Sequence, residues 1–282
     1  MRWAAVLLAV SGCNAAFGLR ETRELDAQQF DAPLDAPYQC PPSGTLLRFS
    51  HQVHQVSDQP CSSYTESTVT GLAVAECVDG LVVRISQRPI GGVFSPIPEL
   101  PAATSDFDFG NPRLSVEGDL LLVQTFDLTA TVSAVRVYHR QSSGSWLRGD
   151  DLPVPQYGVV GSPSSGPKHH VLYAVSNDLL EFVDDGTGTW TQMPTHMGAT
   201  LGLTVPRITW LSPDGLRVLI SGSRPATPNT IEIMEADRMA ITDPFGVAIT
   251  LEVPGILDPF VSADCSRLYM SSLHAIFYEI QI

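Results

Sequence analysis

The chain has 282 residues and a formal net charge of −14 at pH 7, from 16 Lys and Arg residues against 30 Asp and Glu residues. An acidic surface repels phosphate backbones and anionic lipid head groups, so the composition argues against nucleic-acid binding. Charged residues form only 16% of the chain, and Gly and Pro number 22 each. Together with the many Val, Leu and Ile residues, this mixture is typical of short strands joined by tight turns.

The first residues of the chain have the layout of an export signal. Arg2 precedes an apolar run from Ala4 to Val10, and small residues follow before Cys13. A charged n-region, an apolar h-region and a small-residue cleavage site mark a secretory signal peptide. The apolar run is too short to span a bilayer, which takes about 20 residues. We therefore predict a signal peptide over residues 1–12 and no transmembrane anchor.

The end of this signal, Val10-Ser11-Gly12-Cys13, resembles the lipobox of bacterial lipoproteins. The resemblance implies that Cys13 is alkylated with diacylglycerol, becomes the new N-terminus and attaches the chain to a membrane of the cell envelope. Two or more acyl chains hold a protein stably at a membrane. Asn14 stands where an aspartate retains some lipoproteins in the inner membrane, so the resemblance implies the outer membrane. A plain secretory signal is the alternative.

Residues 13–39 are predicted to form the lipidated cysteine and a flexible tether. They have no periodic apolar pattern and include the tandem Asp-Ala-Pro at residues 31–33 and 35–37. A flexible chain of about 26 residues has a root-mean-square reach of roughly 25–30 Å. A short helix from about Leu19 to Phe30 is the alternative for part of this span. The folded domain is then predicted over residues 40–282.

An internal repeat of about 50 residues runs through this domain. Leu211–Ser221 and Val261–Ser271 share an apolar strand, a Ser-x-Asp turn, an arginine and a second apolar strand. Weaker copies are marked upstream by serines at positions 115 and 162. Each copy continues into a third strand. In two of the copies a Gly-rich turn and a fourth strand follow. Four antiparallel strands per repeat of this length indicate propeller blades rather than a solenoid.

The best turn of the repeat, Ser212-Pro213-Asp214-Gly215, resembles the repeat of TolB-like β-propellers. The likeness is best over residues 208–282, is weaker back to about residue 67, and implies an all-β propeller. The Tol-system member of that family is soluble and has an α/β domain ahead of its propeller, whereas a lipid and a tether are predicted here. Its partner, the peptidoglycan-associated lipoprotein, is therefore not carried over to this chain.

The length of the domain predicts five blades, with six as the alternative. The last repeat stops after a third strand within residues 275–280, and a propeller must close its ring or leave an edge strand open. We predict that Thr45–Ser50 supplies the missing outer strand of the last blade. The two ends of the domain would then lie side by side.

Cysteine usage fits an oxidising compartment. With Cys13 lipidated, an even number remains, which suggests two disulfides with three possible connectivities among Cys40, Cys61, Cys77 and Cys265. Cys265 occupies the turn position that Gly215 holds in the sister repeat, where a non-glycine residue is conformationally less comfortable. Ring closure favours Cys40–Cys265 and leaves Cys61–Cys77. The absence of Cys-x-x-Cys spacing argues against metal binding by these thiols.

Motifs for known chemistries are absent. The sequence has no nucleophile elbow, no Walker loop and no dinucleotide fingerprint, so we predict no catalytic, cofactor-binding or metal-binding residues. The remaining polar motifs are interpreted as solvated or structural. They are the pair His51 and His54, the loop at residues 168–170, the acidic pairs at residues 106–108 and 150–151, and a Gly-rich hairpin at residues 185–190 with a packed tryptophan.

These observations favour a cell-envelope lipoprotein that displays a β-propeller and binds a protein, peptide or glycan without catalysis. It would be a monomer with no cofactor and no nucleic-acid partner, held at the membrane by its lipid. The alternative is an envelope hydrolase or lyase that acts on a glycan or ester at the mouth of the propeller channel. A structural surface protein without a specific ligand is a third hypothesis.

Overall fold

The computed structural model describes residues 40–50, 52–57, 59–79, 82–104, 107–127, 129, 132–154, 158–166, 168–175, 178–193, 203, 207–253, 257–272 and 275–280. The chain divides into two units, Met1–Pro37 and Tyr38–Ile282, and every described residue belongs to the second. The signal, Cys13 and the tether lie outside the described residues. No helix in the described part is long and apolar enough to cross a membrane.

The described residues form twenty strands in five four-stranded antiparallel sheets. Sheet 1 contains β2 (Cys61–Ser67), β3 (Leu72–Asp79), β4 (Val82–Pro89) and β5 (Ser95–Pro96). Sheet 2 contains β6 (Phe107–Leu114), β7 (Leu120–Asp127), β8 (Val132–Arg140) and β9 (Trp146–Arg148). Sheet 3 contains β10 (Val159–Val160), β11 (His170–Val175), β12 (Asp178–Asp184) and β13 (Trp190–Gln192). Sheet 4 contains β14 (Arg207–Leu211), β15 (Arg217–Arg224), β16 (Thr227–Asp237) and β17 (Ile249–Thr250). Sheet 5 contains β18 (Leu257–Val261), β19 (Arg267–Ser272), β20 (Ala275–Ile280) and β1 (His54–Ser57).

Consecutive sheets meet through their first strands. Strands β2, β6, β10, β14 and β18 contact one another in that order, and β18 in turn contacts β2. Apolar side chains of neighbouring sheets form shared clusters, as where Trp210 and Leu219 of sheet 4 pack with Val261 and Leu268 of sheet 5. Burying each such side chain contributes about 1.5–3 kcal/mol. The prediction of an all-β, propeller-like fold is confirmed.

The Ser-x-Asp turns explain why the repeat is readable in the sequence. In sheet 4, Ser212 donates its hydroxyl to Asp214 (2.6 Å) and accepts the N–H of Arg217 (2.8 Å), so it caps the start of β15. Sheet 5 repeats this pattern with Ser262 as the capping serine. In sheet 3 the capping serine is Ser164, which accepts the N–H of the first residue of β11. The sequence alignment on Ser162 was therefore two residues out of register.

The fourth strand of sheet 5 is β1, in which His54 pairs with Tyr278 of β20. The assignment of that strand to Thr45–Ser50 was wrong. The guanidinium of Arg217 donates to the carbonyls of Pro42 and Thr45, which holds this earlier segment against sheet 4. Leu47 from the same segment is buried in the core.

Two disulfides are present, Cys40–Cys265 and Cys61–Cys77, with Cα–Cα distances of 4.9 and 4.0 Å. These are the pairs that ring closure favoured. Cys265 has a φ of 58°, close to the 71° of Gly215 in the sister turn. The disulfide therefore holds a left-handed backbone that a non-glycine residue rarely adopts.

Candidate functional site

The first strands of the sheets carry backbone irregularities where they approach one another. Register shifts interrupt β2, β6, β14 and β18. Ser63 and Asn111 lie in two of these bulges and have positive φ angles of 51° and 49°. Bulges and left-handed non-glycine residues re-aim side chains and concentrate near functional sites.

A string of hydrogen bonds joins these bulges across three sheets, and we call it the polar string. Ser63 of sheet 1 donates its hydroxyl to Asn111 Oδ1 of sheet 2 (3.3 Å). Asn111 donates through Nδ2 to Gln124 Oε1 (3.3 Å), and Gln124 donates through Nε2 to the carbonyl of Gly158 in the segment before β10. Glu76 Oε2 accepts the backbone N–H of Asn111 (3.2 Å). The string therefore combines a hydroxyl and an amide on the first strands β2 and β6 with a carboxylate and an amide on the second strands β3 and β7.

The approach of Glu76 depends on a glycine. A Cβ atom placed on Gly110 would lie 2.8 Å from Glu76 Oε2, which is closer than real side chains come. Ser63 and Gln124 are only 3% and 5% exposed, whereas Asn111 and Glu76 are partly exposed. Asn111 and Glu76 are therefore the members of the polar string that can exchange hydrogen bonds with a polar ligand.

One carboxylate with a raised pKa is enclosed between sheets 5 and 1. Burial raises the pKa of Glu66, and the hydrogen bonds from Tyr64 and Tyr269 only partly offset this effect. The Tyr64 hydroxyl donates to Glu66 Oε2 (2.6 Å), and the two tyrosine rings lie 4.6 Å apart. Glu66 is 3% exposed. This group stabilises the contact between sheets and is out of reach of a ligand.

A second carboxylate holds the N-terminal segment of the domain. Burial raises the pKa of Glu235 to about 7, against the opposing effect of Arg217. Arg217 Nε lies 3.0 Å from Glu235 Oε1, but its hydrogen points to Asp237, so Oε1 lacks a hydrogen bond. Glu235 Oε2 accepts the N–H of Leu47 (3.1 Å). This cluster is also structural.

A third carboxylate joins sheets 3 and 4. Burial opposes ionisation of Glu181, but the hydrogen bonds from His170 and Arg238 outweigh it and lower the pKa of this carboxyl. Arg238 donates to both Glu181 oxygens at 2.9 Å and through Nε to the carbonyl of Gly215 (2.7 Å). Its guanidinium also lies 4.5 Å from the ring centroid of Phe245. All donors of this pair are engaged.

Between sheets 1 and 2 lies an open depression that we call the rim groove. Its first hollow is lined by Thr70, Gly71, Leu72, Gln87, Arg88, Pro89, Ser95 and Arg140. Its second hollow shares Thr70 and Arg140 with the first and adds Glu117, Gly118, Asp119, Gln141, Ser142 and Gly144. Arg140 Nε is buried without a hydrogen-bond partner, and among the described residues no carboxylate pairs with its guanidinium. Glu117 and Asp119 line the second hollow beside Arg140, but neither forms an ion pair with it.

Several motifs from the sequence have structural roles. The loop at residues 168–170 was predicted to be solvated, which is wrong: His169 is buried and contacts the Ser164 carbonyl, and His170 Nδ1 lies 2.7 Å from Glu181. The hairpin with the packed Trp190 is present between β12 and β13. Asp151 pairs with Arg148 (2.9 Å).

Other sequence predictions have little or no structural description. His51, Asp106 and Cys13 lie outside the described residues. His54 is described, and its ring stacks on Tyr278 at 5.0 Å. No group of three or more His, Cys, Asp or Glu residues within the described part of the chain is placed to hold a metal ion.

Sequence reasoning missed both the polar string and the rim groove. Asn111 and Arg140 belong to different strands from their neighbours in space, so no local motif marks them. A register-accurate alignment of the five repeats would have shown Arg140 and Arg238 at the same position.

Comparisons with known proteins find similar folds. A "putative glycoside hydrolase" from Parabacteroides distasonis aligns with a TM-score of 0.54 and 8% identity over 86% of this chain and 95% of that chain. Another protein of that description, from Bacteroides ovatus, aligns with a TM-score of 0.51 and 10% identity over 87% and 96%. TolB from Acinetobacter baumannii is also a structural neighbour, with a TM-score of 0.49 and 13% identity over 79% of this chain and 54% of its own length. No family model and no curated protein matches the chain.

Proposed function

We propose that this protein is a cell-envelope lipoprotein that displays a five-bladed propeller and binds a protein, peptide or glycan without catalysis. Lipidation of Cys13 would hold it at the outer membrane, and residues 14–39 would act as its tether. The lipobox resemblance supports the anchor, and the acidic composition leaves the lipid as the membrane contact. Five sheets whose first strands contact one another in a cycle support five blades, and the pairing of β1 with β20 supports closure of the ring.

The observation that carries a binding role is the division of polar groups in the domain. The carboxylates with a raised pKa, Glu66 and Glu235, are buried and engaged in contacts between chain segments. The polar string instead consists mainly of neutral hydroxyl and amide groups, and Asn111, on the bulged strand β6, is its partly exposed amide. Acid–base catalysis needs an accessible group with a perturbed pKa, whereas recognition needs placed donors and acceptors.

A capture experiment tests this role. The full chain, tagged and purified in detergent, is expected to retain a stoichiometric partner from envelope extracts and to turn over no member of a glycan panel. Gln124→Ala removes the central link of the polar string and should weaken capture, whereas Thr227→Ala at the exposed start of β16 should not. Equal capture by both variants, or glycan turnover, would contradict the proposal.

The anchor has a separate test. Cys13→Ser removes the acceptor of the diacylglycerol group, so the exported protein should become soluble without detergent. Membrane fractionation of the two forms measures this change. A Cys13→Ser protein that still requires detergent would contradict lipid anchoring.

A glycan hydrolase or lyase is the second candidate function. It is favoured by the carboxylate of Glu76 within the polar string and by the likeness in fold to two "putative glycoside hydrolases". A sequence identity of 8–10% supports only a shared fold. Glycoside hydrolysis by this chain is therefore argued by analogy. If this candidate is right, Glu76→Gln should abolish turnover of a glycan while the thermal unfolding midpoint stays within a few degrees of wild type.

A further inference from the structure

The rim groove can be understood through the sheet register. Arg140 and Arg238 occupy the same position in sheets 2 and 4, because each donates its backbone N–H to the carbonyl just before the second strand. The acceptors are Asp119 (2.7 Å) and Leu216 (2.8 Å). Both arginines also face the preceding sheet: Arg238 reaches Glu181 of sheet 3, and Arg140 lines a groove with residues of sheet 1.

The residues that face these two arginines from the preceding sheets also occupy equivalent positions in the strand register. Glu181 pairs with Leu172, the third residue of β11, and Gln87 pairs with Val74, the third residue of β3. Gln87 therefore stands in sheet 1 where Glu181 stands in sheet 3. Its Oε1 accepts a hydrogen bond from Trp146 Nε1 (3.0 Å) and gives nothing to Arg140. Sheet 1 therefore has a neutral amide at the position where sheet 3 has a carboxylate. The side chain at this position forms an ion pair with Arg238 but not with Arg140.

The surroundings of Arg140 suit an external carboxylate. No Asp or Glu lines the first hollow, and the two acidic residues of the groove, Glu117 and Asp119, line the second hollow. Thr70 and Ser95 add hydroxyl groups to its wall. The hollow measures about 310 Å³, at the small end of ligand sites, so it can take a carboxylate with one or two side chains.

Three exposed apolar residues lie within two positions of lining residues along the chain. Val69 is 70% exposed, Ile90 38% and Val93 76%. Ile90 lies against the wall, because its N–H donates to the carbonyl of Gly71 (2.9 Å). Exposed apolar side chains beside two arginines, Arg88 and Arg140, favour a ligand that carries both a carboxylate and aliphatic groups. The end of a polypeptide chain with apolar last residues has this chemistry, whereas an acidic sugar lacks the aliphatic part.

We propose that the rim groove binds the C-terminal carboxylate of a peptide or protein whose last residues are apolar, with Arg140 as its counter-ion. This rests on the proposed function and names the ligand class for one surface of it. The bound carboxylate takes the place that the Glu181 side chain holds beside Arg238. Charge-assisted bidentate hydrogen bonds of this kind are about twice as strong as neutral ones.

The test uses the full chain in detergent and a labelled hexapeptide ending in Leu-Val-Val, as the free acid and as the amide. Fluorescence anisotropy should give at least tenfold tighter binding of the acid. Arg140→Gln should reduce binding of the acid to that of the amide. Arg148→Gln, an exposed arginine ion-paired outside the groove, should bind like wild type. Thermal unfolding confirms that each variant is folded.

Gln87→Glu is the sharpest variant. It restores an internal carboxylate in the register of Glu181, so it should block the peptide acid by pairing with Arg140 while the fold is retained. Equal binding of acid and amide, unchanged binding by Arg140→Gln, no peptide binding, or binding of trigalacturonic acid alone would each overturn the inference. Partner capture that persists in Arg140→Gln would leave the proposed function standing and reject only this groove.

Discussion

Two arginines at one register position of this fold have opposite environments. The side chain of Arg238, at the junction of sheets 3 and 4, is 0% exposed and donates hydrogen bonds to Glu181 and to a backbone carbonyl. Its guanidinium also lies over an aromatic ring. Arg140, at the junction of sheets 1 and 2, lines an open groove with its Nε unpartnered. The difference depends on one residue of the preceding sheet, which is Glu181 in one case and Gln87 in the other. The repeat thus supplies a structural ion pair or a vacant counter-ion position from the same backbone.

A third junction shows another use of the position. Glu235 of sheet 4 pairs with the third residue of β15, so it matches Glu181 and Gln87 in register. Its acceptor oxygen receives the N–H of Leu47, and the N-terminal segment fills the junction. An arginine therefore closes the junction of sheets 3 and 4, and the N-terminal segment of the domain fills the junction beside Glu235. The junction of sheets 1 and 2 is open.

The largest expected effect separates the closed and open junctions. Arg238→Gln leaves Glu181 without its bidentate partner and should lower the free energy of unfolding by about 3–5 kcal/mol. Arg140→Gln should change it by less than about 1 kcal/mol, because no internal partner is lost. Urea unfolding at pH 7 compares them. Similar losses for both variants would show that the two junctions are not different.

The junction filled by the N-terminal segment should respond to pH. The folded pKa of Glu235 is raised from 4.5 to about 7, so the folded state binds its proton more tightly and stability falls as pH rises from about 4.5 to 7. Glu235→Gln removes this fall. The free energy of unfolding of the variant, relative to wild type, should rise by about 2–3 kcal/mol between pH 4 and pH 8.

The control for this series is Glu252→Gln, which removes a carboxyl group from an exposed position. A difference for Glu235→Gln that is flat or falls with pH would mean that Arg217 keeps the carboxylate charged in the folded protein.

The arginine-closed junction should show the opposite sign at a smaller amplitude. Its folded pKa is lowered below 4.5, so Glu181 contributes stability that is fully present above pH 4.5 and is lost as pH falls through the folded pKa. Relative to wild type, Glu181→Gln should be least stable near neutral pH and should approach wild type on acidification. Thermal melts from pH 3 to 7 measure the trend, and a constant difference would contradict it.

The smallest expected effect is in the open junction. Gln87→Glu places a carboxylate near Arg140 at a partly exposed site, so it should stabilise the fold by only about 0.5 kcal/mol at low salt. The gain should disappear in about 1 M salt, where screening acts within roughly 3 Å. A gain that is independent of salt would indicate packing rather than charge.

The sequence made the repeat visible because the turn chemistry is local. Ser212 and Asp214 cap a strand through contacts within a few residues, and the place of Cys265 in that turn pointed to a left-handed backbone. The outer strand of sheet 5 was misplaced because Arg217 takes the carbonyls of residues 42 and 45, a contact across more than 170 positions. His169 and His170 were misjudged because the burial of His169 and the contact of His170 with Glu181 arise only when strands pack together.

The candidate site was beyond reach from the sequence because its residues come from separate sheets. Ser63 meets Asn111 and Gln124 only after sheets 1 and 2 pack together. The vacancy beside Arg140 is visible only when Gln87 and Glu181 are compared in strand register. The amino-acid sequence alone does not show which residues pair between strands, so it does not give this register.

The most direct test of the vacant counter-ion position is a double-mutant cycle between residues 87 and 140. Free energies of unfolding are measured for wild type, Gln87→Glu, Arg140→Gln and the double variant at low salt and pH 7. A carboxylate that completes the junction predicts a favourable coupling of about 0.5–1 kcal/mol between Glu at position 87 and Arg140. A coupling of zero would mean that a carboxylate at this place does not meet Arg140, which contradicts the account of the groove.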